Sequence, residues 1–470
     1  MMVLLAVSAA SLAQTVTALK HQPPDGVGIS FQLTDGTVLV QGNGGGDWWK
    51  LTPDNTGSYV NGTWTQVASL PAGYSPYAFA SAVLADGRLI IEGGEYNFGN
   101  FDLTNLGAIY DPKANTWTAV APPKNWSYIG DSPSVVLPNG KYLIGNKLTK
   151  QLRQLDPKTL KWTSLPSKGK KDFDSEEGWT LLSNGTILTA DVKKAPNSEI
   201  YDPVAKQWTS AGSTIVDLHS PSPFGCIPYG PGGTLCYYPP GEIGPQILRP
   251  DGTVFVTGSY TKGGSGPGNT AIYDSLTGKW TVGPTFPNGD NAGDSFAALL
   301  PNGNVLVEGD SGTSYEFDGT KLTPGPQTFG SLMVLPTGEV LVGGGRTAVY
   351  TSSGTYQTSW APALSTYPST ITRGSTYPIS GTQFNGLSQA AAFGDELETA
   401  TNYPLVRITN NSTHHVFYAR THDHSTMGVA TGSATVSTNF DVPATMETGP
   451  STLEVVANGI PSVAVSVTVQ

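Results

Sequence analysis

The sequence predicts an all-β protein, a seven-bladed β-propeller followed by an immunoglobulin-like β-sandwich. Three observations carry this expectation. A glycine-containing turn signal recurs seven times along the first three quarters of the chain, an Asp followed at constant distance by Trp-Thr marks several of the same units, and near residue 360 the repeat stops and a different set of short β runs begins.

The turn signals end at Gly36, Gly87, Gly140, Gly185, Gly252, Gly303 and Gly338. Asp or Asn precedes the glycine in all but the last, where Thr337 does, and each follows a short apolar run. Asp-Gly and Asn-Gly accept the positive φ angles of a two-residue hairpin loop, so each signal predicts a hairpin. The second signal runs from Asp111 to Trp117, Asp156 to Trp162, Asp202 to Trp208 and Asp274 to Trp280, with Tyr or Leu before the Asp. It predicts a second hairpin in the same unit. Two hairpins make a four-stranded antiparallel sheet whose face cannot be covered alone, and radial stacking of seven such sheets covers it. The recurring Tyr and Trp are then expected to wedge between neighbouring blades. The units resemble kelch repeats, and the kelch-type propeller is placed at residues 22–360.

The second region, residues 361–470, contains Leu405-Val406-Arg407-Ile408, Val416-Phe417-Tyr418 and a final run at 463–469 that alternates with period two. Short strands in about 110 residues predict the sandwich.

Composition removes several classes of function. A formal net charge of -11 repels phosphate backbones and anionic lipid surfaces, which argues against nucleic-acid binding. Residues 1–13 form an apolar run ending in a small-x-small site, the pattern of a signal peptide, so the chain is expected to be secreted or otherwise extracytoplasmic. No other stretch approaches the roughly 18 apolar residues of a membrane span, so membrane insertion is not expected. Cys226 and Cys236 flank a Gly-rich segment, and in an oxidising compartment a loop-closing disulfide is the preferred reading over a reactive or metal-bound thiol.

A kelch propeller with a C-terminal immunoglobulin-like (early-set) domain resembles the galactose oxidase and glyoxal oxidase group of secreted proteins. Three segments carry the detailed resemblance: the block at 331–345, the loop Thr421-His422-Asp423-His424, and Gly459-Ile460-Pro461-Ser462-Val463. The resemblance implies that a loop of the second domain brings a histidine into the propeller channel, and His422 is its match. It also implies copper held by two tyrosines and two histidines, one tyrosine cross-linked to a cysteine of the first blade. The sequence departs there. Thr328-Phe329 stands where the group has Tyr-His, Ala78 stands where it has the cross-linked tyrosine, and the first blade has no cysteine. Copper, and copper radical oxidation with it, is therefore not expected.

The repeat register reveals another constellation. Asp131, Glu176 and Asp294 each lie nine residues before a turn glycine, and Glu242 lies one residue further back. Equivalent positions should place these carboxylates around one mouth of the channel, below the loop that carries His422 and His424. Caps on backbone amides, a metal site formed by the carboxylates for a hard cation or with His422 and His424 for a transition metal, and general acid/base work on a sugar are all open readings. His414, His415 and Met427 are further possible ligands, and Trp48-Trp49 is flat enough to stack on a sugar ring or to cover a blade edge. The charged run from Lys168 to Glu177 reads as a solvated connection into the fourth blade. The leading expectation is a carbohydrate or cell-surface polymer bound at the channel mouth through Asp131, Glu176, Asp294, His422, Trp48 and Trp49. A metal-dependent or acid/base enzyme acting on sugars and an extracellular protein-interaction scaffold are the alternatives, so the sequence leaves open whether the chain is an enzyme.

Overall fold

A computed structural model describes residues 14–43, 45–221, 225–229, 233–237, 241–260, 266–392 and 399–470. The expected signal segment at 1–13 lies outside the described residues. So do the side chains of Cys226 and Cys236, although the backbone pairs these two directly opposite one another in a two-stranded hairpin.

Seven antiparallel sheets form the propeller, six of four strands and that of blade 6 of five, its fifth strand being Ala391–Ala392. Their innermost strands are Ile29–Gln32, Ala80–Val83, Ser134–Val136, Thr180–Leu181, Gln246–Leu248, Ala297–Leu299 and Leu332–Val334. The innermost strands of blades 1 and 7 touch, which closes the ring. Blade 7 takes its outermost strand, Thr15–Ala18, from the start of the described chain, paired with Ala348–Thr351 and upstream of residue 22, where the propeller was expected to begin. Pairing the two ends of the ring in one sheet leaves no open edge between first and last blade.

Each turn signal is a hairpin, but the loop has three residues rather than two. In blade 1 the Leu33 amide bonds the Thr37 carbonyl at 2.8 Å and the Gly36 amide bonds the Leu33 carbonyl at 3.1 Å, and the same pair of bonds recurs in the other six blades. Positive φ falls on the glycine and not on the Asp or Asn before it. The acid or amide instead accepts the amide two residues on, as from Asp35 to Thr37 at 3.0 Å and from Asn184 to Thr186 at 3.0 Å. This is a type I turn closed by a left-handed glycine bulge. The second hairpin uses the same device. Asp111, Asp156, Asp202 and Asp274 each accept two amides of the following turn. The constant spacing then sets Trp117, Trp208 and Trp280 directly across from Tyr110, Tyr201 and Tyr273, with ring centroids 5.0 to 5.1 Å apart. The Trp280 indole also donates to the Ala211 carbonyl of blade 4 at 3.0 Å, so the repeated aromatics tie blade to blade.

The second region is a sandwich around Ile379, Val406, Ala419, Phe440, Leu453 and Val467. Strand Val416–His422 pairs with Leu405–Asn410 through its first half and with Val436–Asp441 through its second, linking the two sheets. The sandwich packs on the propeller's lower face, the one bearing the hairpin turns. Thr421 donates its amide to Thr34 at 3.0 Å, Met427 to Pro138 at 3.1 Å, and Tyr403 and Met427 share the core of blades 1 to 3. Among the described residues no helix is long and apolar enough to cross a membrane.

Candidate functional site

The innermost strand of each blade runs from the upper face down to its turn, so the residues just before it ring the upper mouth. Ala78, Glu176 and Asp294, all nine residues before a turn glycine, share a left-handed backbone with φ of 50°, 56° and 57°. A left-handed conformation costs a non-glycine residue about 1 kcal/mol or more, so the surrounding fold imposes it.

The carboxyl groups anticipated from the repeat do converge. Lys147, which follows the second strand of blade 3, is buried and donates from Nζ to Asp131 and, at 2.5 Å, to Glu176 Oε1. Glu95 of blade 2, Glu242 at the start of blade 5 and Asp294 of blade 6 feel the same charges. Burial pushes Asp131 up despite the opposing ammonium of Lys147. Glu242 is pushed up chiefly by Glu176 and then by burial, and Asp294 rises to about 6 through burial and Glu176. Burial opposes the charge on Lys147, but Asp131, Glu176 and Glu95 outweigh it and hold the ammonium well above its ordinary range. Asp294 stays open to the channel, and Glu95 and Glu242 are half-buried. One cation among five carboxyls makes the mouth a proton-sharing cluster with both donors and acceptors to offer.

An aromatic cleft adjoins the cluster. Asn43, Gly45, Ser75, Pro76, Tyr77 and Tyr96 line a space of about 410 Å³ at the rim of blades 1 and 2. Tyr77 and Phe98 are 59% and 62% exposed, and Tyr96 lies 6.3 Å from Tyr77 and 6.0 Å from Phe101 between ring centroids. Tyr96 follows Glu95 directly in the chain and feels its charge, which joins the cleft to the carboxyl cluster.

The other anticipated residues lie elsewhere. His422 and His424 are on the lower face, because their strand leads into the turns of blades 1 and 2. The His424 amide donates to Ala85 at 3.0 Å and Arg420 Nη2 to Asp86 at 2.6 Å. His422 is hydrogen-bonded to Asp423 at 2.7 Å and Asp441 at 3.2 Å. His424 is buried against Tyr403, bonds Thr438 at 2.9 Å, and is pushed down to about 3 by burial, so it stays neutral. These two histidines therefore do not share a metal with the upper carboxylates. The channel instead receives Ala391–Ala392, which pairs with the innermost strand of blade 6 and runs upward along it. Trp48 is not a stacking platform. It sits in the blade core against Phe31, Phe79 and Trp117, while Trp49, on the opposite side of the same strand, bonds Asp25 at 3.1 Å. His415 bridges Glu447 and Asn55, and Met427 is buried core.

Lys147 and Glu95 escaped the register because they do not stand at the nine-residue offset. A second offset would have found Lys147: the residue seven past the turn glycine also reaches the mouth, and blade 3 alone carries a lysine there.

No protein-family model matches the chain. The Kelch-like protein terF of Aspergillus terreus is 22% identical over 297 residues, covering 57% of this chain and 56% of that protein, so the chain spans little more than half the length of that relative. A fungal alcohol oxidase of the AA5 family, solved with copper, superposes with a TM-score of 0.53 at 15% identity over 98% of this chain and 99% of its own. The chain has the galactose oxidase-like fold. A virginiamycin B lyase from Staphylococcus aureus, solved with quinupristin, superposes with a TM-score of 0.48 at 11% identity, over 72% of this chain and 98% of its own. Within the galactose oxidase-like fold, Thr328 is buried and its amide bonds the Gly312 carbonyl of blade 6, while Phe329, nine residues before Gly338, is 59% exposed.

Proposed function

We propose that the chain binds a carbohydrate, free or within a cell-surface polymer, at the upper mouth of the propeller. The observation that carries this reading is the junction of Tyr96 with Glu95, which sets an exposed aromatic cleft beside a cluster of carboxyls gathered around one ammonium. A pyranose presents apolar C–H faces and a rim of hydroxyls, so it matches a surface that pairs rings with both donors and acceptors. We further propose that binding proceeds without copper. The mouth offers hard carboxylate oxygens and an ammonium, and the two histidines of the second domain's loop lie on the other face.

Glycan-array screening of the full chain, with and without millimolar calcium, tests the reading. Binding to at least one sugar class is expected, weakened about tenfold or more by Tyr96→Ala or Asp294→Asn. An array silent on every sugar overturns it. One observation favours a second reading. Asp294 rises to about 6 in an open channel, within reach of physiological pH, as a general acid acting on the bound sugar would require. Turnover of an array hit that Asp294→Asn abolishes, while binding persists, would establish it.

A further inference from the structure

The connection between blades 3 and 4 holds a second acidic group that the proposed sugar site does not use. Its sequence pattern suggests a solvated loop, yet Lys170, Asp172, Asp174 and Glu177 are all buried, together with Asp191 at the end of the second strand of blade 4 and Glu199 in the third. Lys170 Nζ pairs with Glu177 Oε2, lies 3.1 Å from Glu199 and 3.9 Å from Asp174, and sits 4.6 Å over the Trp208 ring. Glu199 also accepts the Lys171 amide at 2.7 Å, and Asp172 accepts the amides of Phe173 and Lys194, each at 2.9 Å.

After these bonds are counted, five buried carboxylate oxygens of the group have no hydrogen-bond partner, two each on Asp174 and Asp191 and one on Glu177. Asp191 is 3% exposed and neither of its carboxylate oxygens has a hydrogen-bond partner, and Glu177, fully buried, has none for Oε1. One oxygen each from Asp172, Glu177 and Asp191 lie within 4.8 Å of one another. An unpaired buried carboxylate is costly, and a single ammonium shared among five carboxyls does not neutralise them.

We propose that Asp172, Glu177 and Asp191 hold a hard divalent cation, calcium in preference to magnesium, inside blade 4. The donors are all oxygen, and a spread of up to 4.8 Å matches twice a calcium–oxygen distance of about 2.4 Å, whereas magnesium demands a tighter octahedron. The ion would also anchor Glu177, and through the backbone its neighbour Glu176, which reaches the mouth in its left-handed conformation.

Calorimetric titration of the chelator-treated full chain with calcium chloride tests the site directly, with terbium luminescence sensitised by nearby Trp208 as a second readout. One ion per chain is expected, with a dissociation constant between about 1 μM and 1 mM, at least tenfold weaker binding of magnesium, and a thermal midpoint raised by calcium. Asp191→Asn, or Glu177→Gln if the first variant does not fold, should weaken calcium binding at least tenfold, whereas Asp111→Asn in a surface hairpin should not. Absence of heat, luminescence and midpoint shift at about 10 mM calcium would show that protons alone neutralise the cluster and would overturn the proposal. Binding of unchanged affinity in both site variants would place the ion elsewhere and overturn it equally. Neither result bears on sugar binding, which the array reads separately.

Discussion

Two lysines, Lys147 and Lys170, each stand buried among several carboxyls in adjoining parts of the propeller, yet the two clusters differ in what surrounds them. Around Lys147 the carboxyls come from blades 2 to 6 and face a channel to which Asp294 is open. Around Lys170 every group comes from one blade and its leading loop, all are buried, and Asp172 and Glu199 are fastened to backbone amides. The same chemical inventory thus suits an exchangeable ligand in one place and a resident ion in the other. Solvent access decides between them.

The largest expected effect is at Lys147. Lys147→Met leaves Asp131 and Glu176 as buried like charges without their ammonium, and loss of one partner from a buried pair costs about 3 to 5 kcal/mol. Denaturant unfolding should show that loss, and adding Asp131→Asn should recover part of it. If Lys147→Met were neutral, the cluster would be better solvated than its burial indicates. Lys170→Met should behave differently, because a cation can take over from the missing ammonium. It is expected to destabilise the chain in chelator but to raise calcium affinity about tenfold, read by calorimetry. Equal affinity in the two proteins would break the contrast.

A pH series sharpens the contrast further. Asp174 and Asp191 titrate near 3.8 in an unfolded chain and at about 7 in the folded one. Between these values the folded form keeps protons that the unfolded chain has lost. Their contribution to stability is therefore complete below about pH 4 and disappears as pH rises through 7. In chelator the thermal midpoint should fall over that interval, and saturating calcium should flatten the fall. A midpoint rising across pH 5 to 7 would contradict the burial of these groups. The smallest effect is expected on the lower face, where His422→Ala should change sugar affinity less than about twofold, since its imidazole is bonded to Asp423 and Asp441 far from the mouth.

Much of this architecture was legible in the sequence because it rests on local chemistry. A turn glycine must be left-handed and an Asp before it must bond an amide two residues on, so the seven hairpins and the constant Asp-to-Trp spacing announce themselves. Counting from those turns also brought Asp131, Glu176 and Asp294 to one mouth. What local pattern does not encode is which segments the tertiary packing buries. The run from Lys168 to Glu177 reads as solvent-exposed, and only the strands bearing Asp191, Glu199 and Trp208 enclose it. Trp48 looked available for stacking until three aromatic neighbours from other strands covered it. His422 was assigned to the channel by resemblance, but the docking of the sandwich on the turn-bearing face sends its loop to Thr34 and Ala85.

Hydrogen-exchange mass spectrometry of the full chain with an array-identified sugar would examine the mouth most directly. Protection is expected in the segments containing Glu95-Tyr96, Glu176, Glu242 and Asp294, with none around 420–424. Protection confined to the lower face, or a bound sugar that leaves all four upper segments unchanged, would contradict the account.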